Sequence, residues 1–168
     1  RTGVLKHLPW LVLSDNYGSS EALRGVQTYS KGNAIPEDGV ISRSEVMQMM
    51  GDDGKLLDTS VPGNGGALLI KGHLAVGYYK DPDKTRATYV TIDGIRYCIT
   101  GDFGVVEPDG NIRLIGRGSS VINTGGEKVF PYEVEMVIRT HEAVADAAVI
   151  GLPHERFGQA VAAVVVLR

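Results

Sequence analysis

Short apolar runs, cut apart by turns rich in glycine and proline, set the layout of this chain. Residues 8–13 (LPWLVL) predict a short buried strand, and the polar stretch 14–21 behind them predicts a loop. Between 25 and 64, brief strand candidates alternate with turn signals at 36–39, 51–54 and 62–66. Residues 46–50 (VMQMM) predict a strand whose methionines fill a core rather than bind a ligand. A strand at 67–71 follows, then one short helix within 82–91, with Lys84, Arg86 and Thr88 toward solvent. Residues 95–100, 103–107 and 112–116 form an antiparallel run, with the turn Pro-Asp-Gly-Asn at 108–111.

The pattern then changes. Segments 120–123 and 128–130 flank a turn at Gly125 and Gly126, and Pro131 opens a helix reaching about His141. Proline at the first helical position, Glu133 and Glu135 near the start, and Arg139 and His141 near the end all suit the helix dipole. Val134, Val137, Ile138 and His141 share one face at helical spacing. Strands at 145–151 and 160–167 complete a small strand–helix–strand–strand unit. A domain boundary is expected near residues 117–119, with β-rich structure before it and mixed structure after.

Composition narrows the class of protein. The 168 residues are 43% hydrophobic and 22% charged, enough apolar material for a sizeable core. A net charge of -3 without clustered Lys and Arg argues against a nucleic-acid surface. Cys98 is the sole cysteine, which rules out an intramolecular disulfide and fits a reducing, cytoplasmic setting. The late apolar run 160–167 is too short to span a bilayer. Apolar strands beside both ends, and an opening on Arg1 rather than Met, lead us to expect a piece of a longer protein.

Several familiar sites are absent. Gly63-Asn64-Gly65-Gly66 lacks the Lys-Ser/Thr ending of a phosphate loop, Gly116-Arg117-Gly118 has no third glycine, and the histidines lack metal-ligand spacing. Four local segments remain. Tyr17-Gly18-Ser19-Ser20-Glu21 gathers an aromatic face, a glycine, hydroxyls and a carboxylate, groups suited to a base, phosphates and Mg²⁺, or else to a plain glycine turn. Asp102 in Thr100-Gly101-Asp102 suits the two hydroxyls of a ribose, or a hairpin turn. Arg117 suits the same sugar, a phosphate, or a surface ion pair. The Gly125-Gly126 turn offers a thin polar ligand close access to backbone amides, or is simply a bulged hairpin.

Taken in order, DNYGSSE, GALLIKGHLAVGYYKDPDKT, YCITGDF and GRGSSVINTGGEKVFPYEVE resemble the adenylate-forming, AMP-binding acyl-CoA synthetase family. VADAAVIGLPHERFGQAVAAVV resembles the small C-terminal domain of its fatty-acid and lipid-acid branch. The resemblance covers almost the whole chain and is weakest between 27 and 60. It implies an α+β fold, mainly antiparallel β. Residues 1–116 would be the C-terminal part of the large domain, a distorted barrel portion, and 117–168 the hinge and first part of an incomplete α+β lid.

The resemblance also implies an activity. Such enzymes use ATP and Mg²⁺ to turn a carboxylic acid into an acyl-adenylate, then pass the acyl group to coenzyme A. By that likeness Tyr17 lies against adenine and Gly18 lines its pocket. Ser20, where threonine is common, touches phosphate or metal, and Glu21 helps to hold Mg²⁺. Asp102 grips the ribose and Arg117 completes the nucleotide contact. Ser119 stands at the hinge, where aspartate or lysine is common; Gly125 and Gly126 line the coenzyme A passage, with Lys128 near it. Ala67 stands where a glutamate is common. The family's phosphate loop, most of its acyl pocket and its distal lysine lie outside this sequence, so residues 1–168 alone are expected to be inactive. The partners implied are an acid, ATP and coenzyme A, with no nucleic acid and no transmembrane segment. A ligase for aryl or steroid side-chain acids, and a noncatalytic nucleotide-binding or interaction module, are the other readings.

Overall fold

The computed structural model describes residues 2–32, 34, 37 and 39–168, with only the backbone of Thr2, Leu23 and Arg24. The turn expected at 36–39 therefore falls partly outside the described residues, at Pro36 and Asp38. Contacts divide the chain into two compact units, Arg1–Leu114 and Ile115–Arg168.

The first unit opens on a short helix, α1 (Thr2–His7), which buries Leu5. The strand predicted at 8–13 starts late: β1 is Val12–Ser19, and Trp10 stays 61% exposed. The predicted loop 14–21 is thus largely strand. Burial alternates strictly along β1, with Leu13, Asp15, Tyr17 and Ser19 on the more buried face. Polar residues on that inward face hide the alternation from a hydrophobicity reading. β2 (Ala22–Lys31) pairs with β1 antiparallel, and it too buries polar groups, Thr28 and Ser30, beside Val26. Thr28 Oγ1 is satisfied by the backbone N–H of Ser42 at 3.0 Å.

β3 (Val40–Ile41), β4 (Met47–Met50) and β5 (Gly65–Lys71) come next. Met47 and Met49 are buried, so the methionines do fill the core. α2 (Pro82–Thr88) is capped by the Asp81 side chain, which accepts from Lys84 N at 2.9 Å, with Pro82 in the first turn. It stops where the β-prone run Tyr-Val-Thr-Ile becomes β6 (Tyr89–Ile92). β6 turns into β7 (Ile95–Val106) through Asp93 and Gly94, both at positive φ as a tight two-residue hairpin requires. β8 (Ile112–Arg117) carries the chain onward. The larger sheet runs β3-β8-β7-β5-β4, with β6 also paired to β7. It is an open antiparallel sheet; the barrel-like portion does not close among the described residues. Its core joins Val26, Met47, Met49, Leu68, Val106 and Ile112.

β7 holds the main departure from the predicted pattern. Two strands broken at 101–102 were expected; a single strand passes through a bulge. Ala67 pairs with Phe103 and Leu69 with Ile99, so Thr100, Gly101 and Asp102 face Leu68 alone. Gly101 makes this possible at φ 81°.

The second unit begins within β8, at Ile115, and a single 3-10 turn, Gly118–Ser120, follows. β9 (Ile122–Thr124) and β10 (Glu127–Val129) form a hairpin around Gly125 and Gly126, at φ 60° and 92°. α3 (Pro131–Arg139) has Pro131 in its first turn. It is fastened to β11 (Val144–His154) by polar groups: Glu135 Oε1 accepts from Val149 N at 2.8 Å, and Arg139 reaches Asp146 at 3.0 Å. Val137, expected on the packed face, is 70% exposed. β11 pairs along its length with β12 (Gly158–Leu167), in a sheet ordered β10-β9-β12-β11.

Candidate functional site

Tyr17 and Asp102, 85 residues apart, meet in the first unit. The Tyr17 hydroxyl donates toward Asp102 Oδ2 at 2.9 Å and Thr100 Oγ1 at 3.0 Å. Thr100 Oγ1 in turn donates to the carbonyl of Leu68 at 3.0 Å, and accepts from Asp102 N at 3.2 Å. The bulge in β7 therefore aims the aspartate at the tyrosine, through a threonine that sequence reading passed over. A threonine before a Gly-Asp pair inside a strand was the available signal.

Gly18 has a second task in the strand pair. Its Cα side lies so near Gly25 that an added Cβ would sit 3.2 Å from the Gly25 Cα. A Cβ on Gly25 would overlap the Tyr17 carbonyl. Tyr17, Gly18 and Ser20 border an open cleft of about 1090 Å³, which Ser42 and Arg43 also line. Ser20 itself is exposed. Glu21 and Asp102 lie outside the lining of that cleft.

Glu21 is held from two sides. Its Oε1 accepts from the Tyr78 hydroxyl at 2.6 Å, and its backbone carbonyl accepts from Ala75 N at 3.0 Å and from the Tyr89 hydroxyl at 3.3 Å. The Tyr78 hydrogen bond holds the Glu21 carboxyl below the usual carboxylate range. The same bond raises Tyr78, while burial raises Tyr89. Tyr17, Leu74, Ala75 and Tyr78 all pack on one apolar cluster of Ala22, Ile70, Tyr89 and Cys98, so the two contact sets share a floor. Burial pushes the Cys98 thiol up to about 11, leaving it a packing group rather than a nucleophile.

The remaining candidates belong to the second unit. Arg117 closes β8 and Ser119 sits exposed in the 3-10 turn behind it. Gly125 N donates to Phe157 O at 3.0 Å, tying the glycine turn to the β11–β12 hairpin. An added Cβ on Gly126 would meet nothing within 4 Å, so positive φ rather than crowding demands glycine there. Lys128 stands on β10 opposite Asn123. Among the described residues no three His, Cys, Asp or Glu side chains gather to hold a metal. The Glu21 carboxylate could serve Mg²⁺, an ion commonly held by one or two carboxylates plus substrate phosphates.

Comparison with known proteins gives this geometry its context. Residues 133–168 match the AMP-binding enzyme C-terminal domain. A 3-oxocholest-4-en-26-oate–CoA ligase of Rhodococcus rhodochrous is 44% identical over 96% of this chain and 29% of its own length. A medium/long-chain-fatty-acid–CoA/3-oxocholest-4-en-26-oate–CoA ligase of Mycolicibacterium smegmatis is 43% identical, with the same coverage. The chain belongs to the adenylate-forming acyl-CoA synthetase family. The ATP-bound structure of MatB from Rhodopseudomonas palustris superposes with a TM-score of 0.76 at 31% identity, covering 93% of this chain and 30% of that one. The chain spans about 29% of the length of the curated ligases it matches. No helix among its described residues is long and apolar enough to cross a membrane.

Proposed function

We propose that this chain supplies nucleotide-contacting and hinge segments of an AMP-forming acid–CoA ligase acting on a lipid carboxylic acid. In that reaction a carboxylate oxygen attacks the α-phosphorus of ATP, pyrophosphate leaves, and an acyl-adenylate forms. The thiol of coenzyme A then attacks the acyl carbon, giving up its proton as AMP departs. The observation that carries the reading is the Tyr17–Asp102 pair at 2.9 Å. It sets an aromatic face beside a carboxylate, the two groups needed for the base and sugar of a nucleotide.

Tyr17 and Gly18 flank the adenine, Asp102 accepts both ribose hydroxyls, and Arg117 completes the nucleotide contact. Ser20 faces phosphate or metal, and Glu21 contributes one oxygen to Mg²⁺. When bound, that ion neutralises charge on the phosphates; positioning and charge stabilisation make up most of such catalysis. Ser119 acts at the hinge, and Gly125, Gly126 and Lys128 border the path of coenzyme A. Residues 1–116 read as large-domain structure and 117–168 as the start of the smaller domain. The names of the relatives at 43% and 44% identity support a fatty or steroid side-chain acid as substrate.

The test is pyrophosphate release by the complete ligase frame carrying this chain, offered medium- and long-chain fatty acids and a sterol side-chain acid. Asp102→Ala should raise the KM for ATP by roughly 10-fold or more through loss of a charged hydrogen-bond acceptor. An unchanged ATP KM would remove Asp102 from the nucleotide site. Residues 1–168 alone should release no pyrophosphate.

A further inference from the structure

The block GYYKDPDKT has no role in the reading above, yet its Tyr78 hydroxyl reaches Glu21. We propose that Tyr78 is a positioning residue, and that the segment 77–85 is built to hold its hydroxyl on the Glu21 carboxylate. The inference rests on the ligase reading, in which Glu21 meets the metal–phosphate group.

The phenol donates to Glu21 Oε1 at 2.6 Å, across 57 residues of sequence. The backbone of Tyr78 is pinned in turn. Its N–H donates to Thr85 Oγ1 at 2.9 Å, and that hydroxyl donates to the carbonyl of Asp81 at 2.7 Å. Thr85 thereby ties Tyr78 to the first turn of α2. Gly77 permits the close approach, since a Cβ there would come within 2.6 Å of Thr85 Cγ2. Above the ring, Lys84 Nζ stands 4.1 Å from its centroid. A cation on that face draws electron density from the phenol and strengthens its hydroxyl as a donor.

The main chain of Glu21 is fixed as firmly. Arg96 donates to the carbonyls of Ala75 and Val76 at 2.9 and 2.8 Å, and stacks on Tyr89 at 4.2 Å. Ala75 and Tyr89 are the two groups that hydrogen-bond the Glu21 carbonyl. A glutamate that merely solvates a turn has no use for an aromatic donor, a cation above it and a helix cap behind it. A carboxylate that must meet a ligand in one rotamer does, because outer partners of this kind set the orientation of a ligating oxygen.

The experiment uses the complete ligase, with Tyr78→Phe, Glu21→Gln and the double variant. Mn²⁺ binding in the presence of ATP is read by the loss of the free-ion EPR signal, beside kcat and KM for Mg·ATP. Tyr78→Phe should weaken Mn²⁺ binding about 10-fold and raise the KM for Mg·ATP, with metal-free ATP binding unchanged. In the Glu21→Gln background it should add nothing, because the two residues act as one unit. Unchanged Mn²⁺ binding in Tyr78→Phe would overturn the proposal, and so would an equal loss in both backgrounds, which marks a merely structural tyrosine. Should Tyr78→Phe fail to fold, Lys84→Gln serves instead. It should weaken Mn²⁺ binding about 2-fold and likewise do nothing in Glu21→Gln; no change overturns the proposal. Wild-type protein without pyrophosphate release sinks the ligase reading, whereas an active wild type with an indifferent Tyr78→Phe sinks this inference alone.

Discussion

The two units bury their strands in different ways. In the first, β5 is covered so completely that Leu68, Leu69 and Ile70 are in effect solvent-free, and Tyr97 and Cys98 of β7 join them. In the second, β12 is as apolar as any strand here, yet Val161, Val164, Val165, Val166 and Leu167 are all exposed. Its partner β9 meets it at Gly158 only, while β11 pairs along its length. Hydrophobic sequence is therefore not the same as hydrophobic burial; a strand needs elements on its faces and edges to convert one into the other. The candidate groups follow the same division. Tyr17 and Tyr78, the hydrogen-bond partners of Asp102 and Glu21, sit on a packed floor, whereas Gly125 and Gly126 sit on a short two-strand hairpin.

The contrast can be broken most forcefully at Leu68. Leu68→Ala should cost about 2–5 kcal/mol in chemical denaturation, since the site is closed on every side. Gly25→Ala should cost about 1–3 kcal/mol by forcing β2 off the Tyr17 carbonyl. That displacement should also raise the ATP KM of the complete ligase, because Tyr17 moves with its strand. Gly126→Val, in open space but at φ 92°, should cost about 1–2 kcal/mol from backbone strain alone. Cys98 gives an effect that shows only at alkaline pH. Its thiol titrates near 9.0 in the unfolded chain and about 11 when folded. The folded state therefore holds its proton more tightly, and that stability is complete below pH 9 and lost as pH rises toward 11. Denaturation midpoints across this range should fall more for wild type than for Cys98→Ala. Val164→Ala should change stability by less than about 0.5 kcal/mol, because its side chain is 60% exposed. A large loss there would mean that β12 is covered after all.

Much of the framework was legible where local chemistry leaves no choice. Pro131 at the start of α3, the glycine pair between β9 and β10, the turn at 108–111 and the buried methionines of β4 all act within a few residues of themselves. The misreadings arose where tertiary packing accepts polar groups. Asp15 and Ser19 lie on the more buried face of β1, so that strand looked like a loop. The pair Gly101-Asp102 looked like a turn because a bulge and a turn use the same residue types. Tyr17 and Asp102 were legible as candidates singly, but the pairing of Tyr17 with Asp102 and of Tyr78 with Glu21 spans 85 and 57 residues of sequence and leaves no local trace.

The bulge in β7 has a consequence for how such a protein changes over time. Thr100, Gly101 and Asp102 hang from the strand as a small spur, while Ile99 and Phe103 on either side keep the sheet in register. A deletion confined to the spur could erase the carboxylate and still leave both flanking residues their partners. With Asp102 in its proposed role, a lineage could thus shed the nucleotide contact in one step and keep a foldable sheet, so that architecture and chemistry are inherited separately.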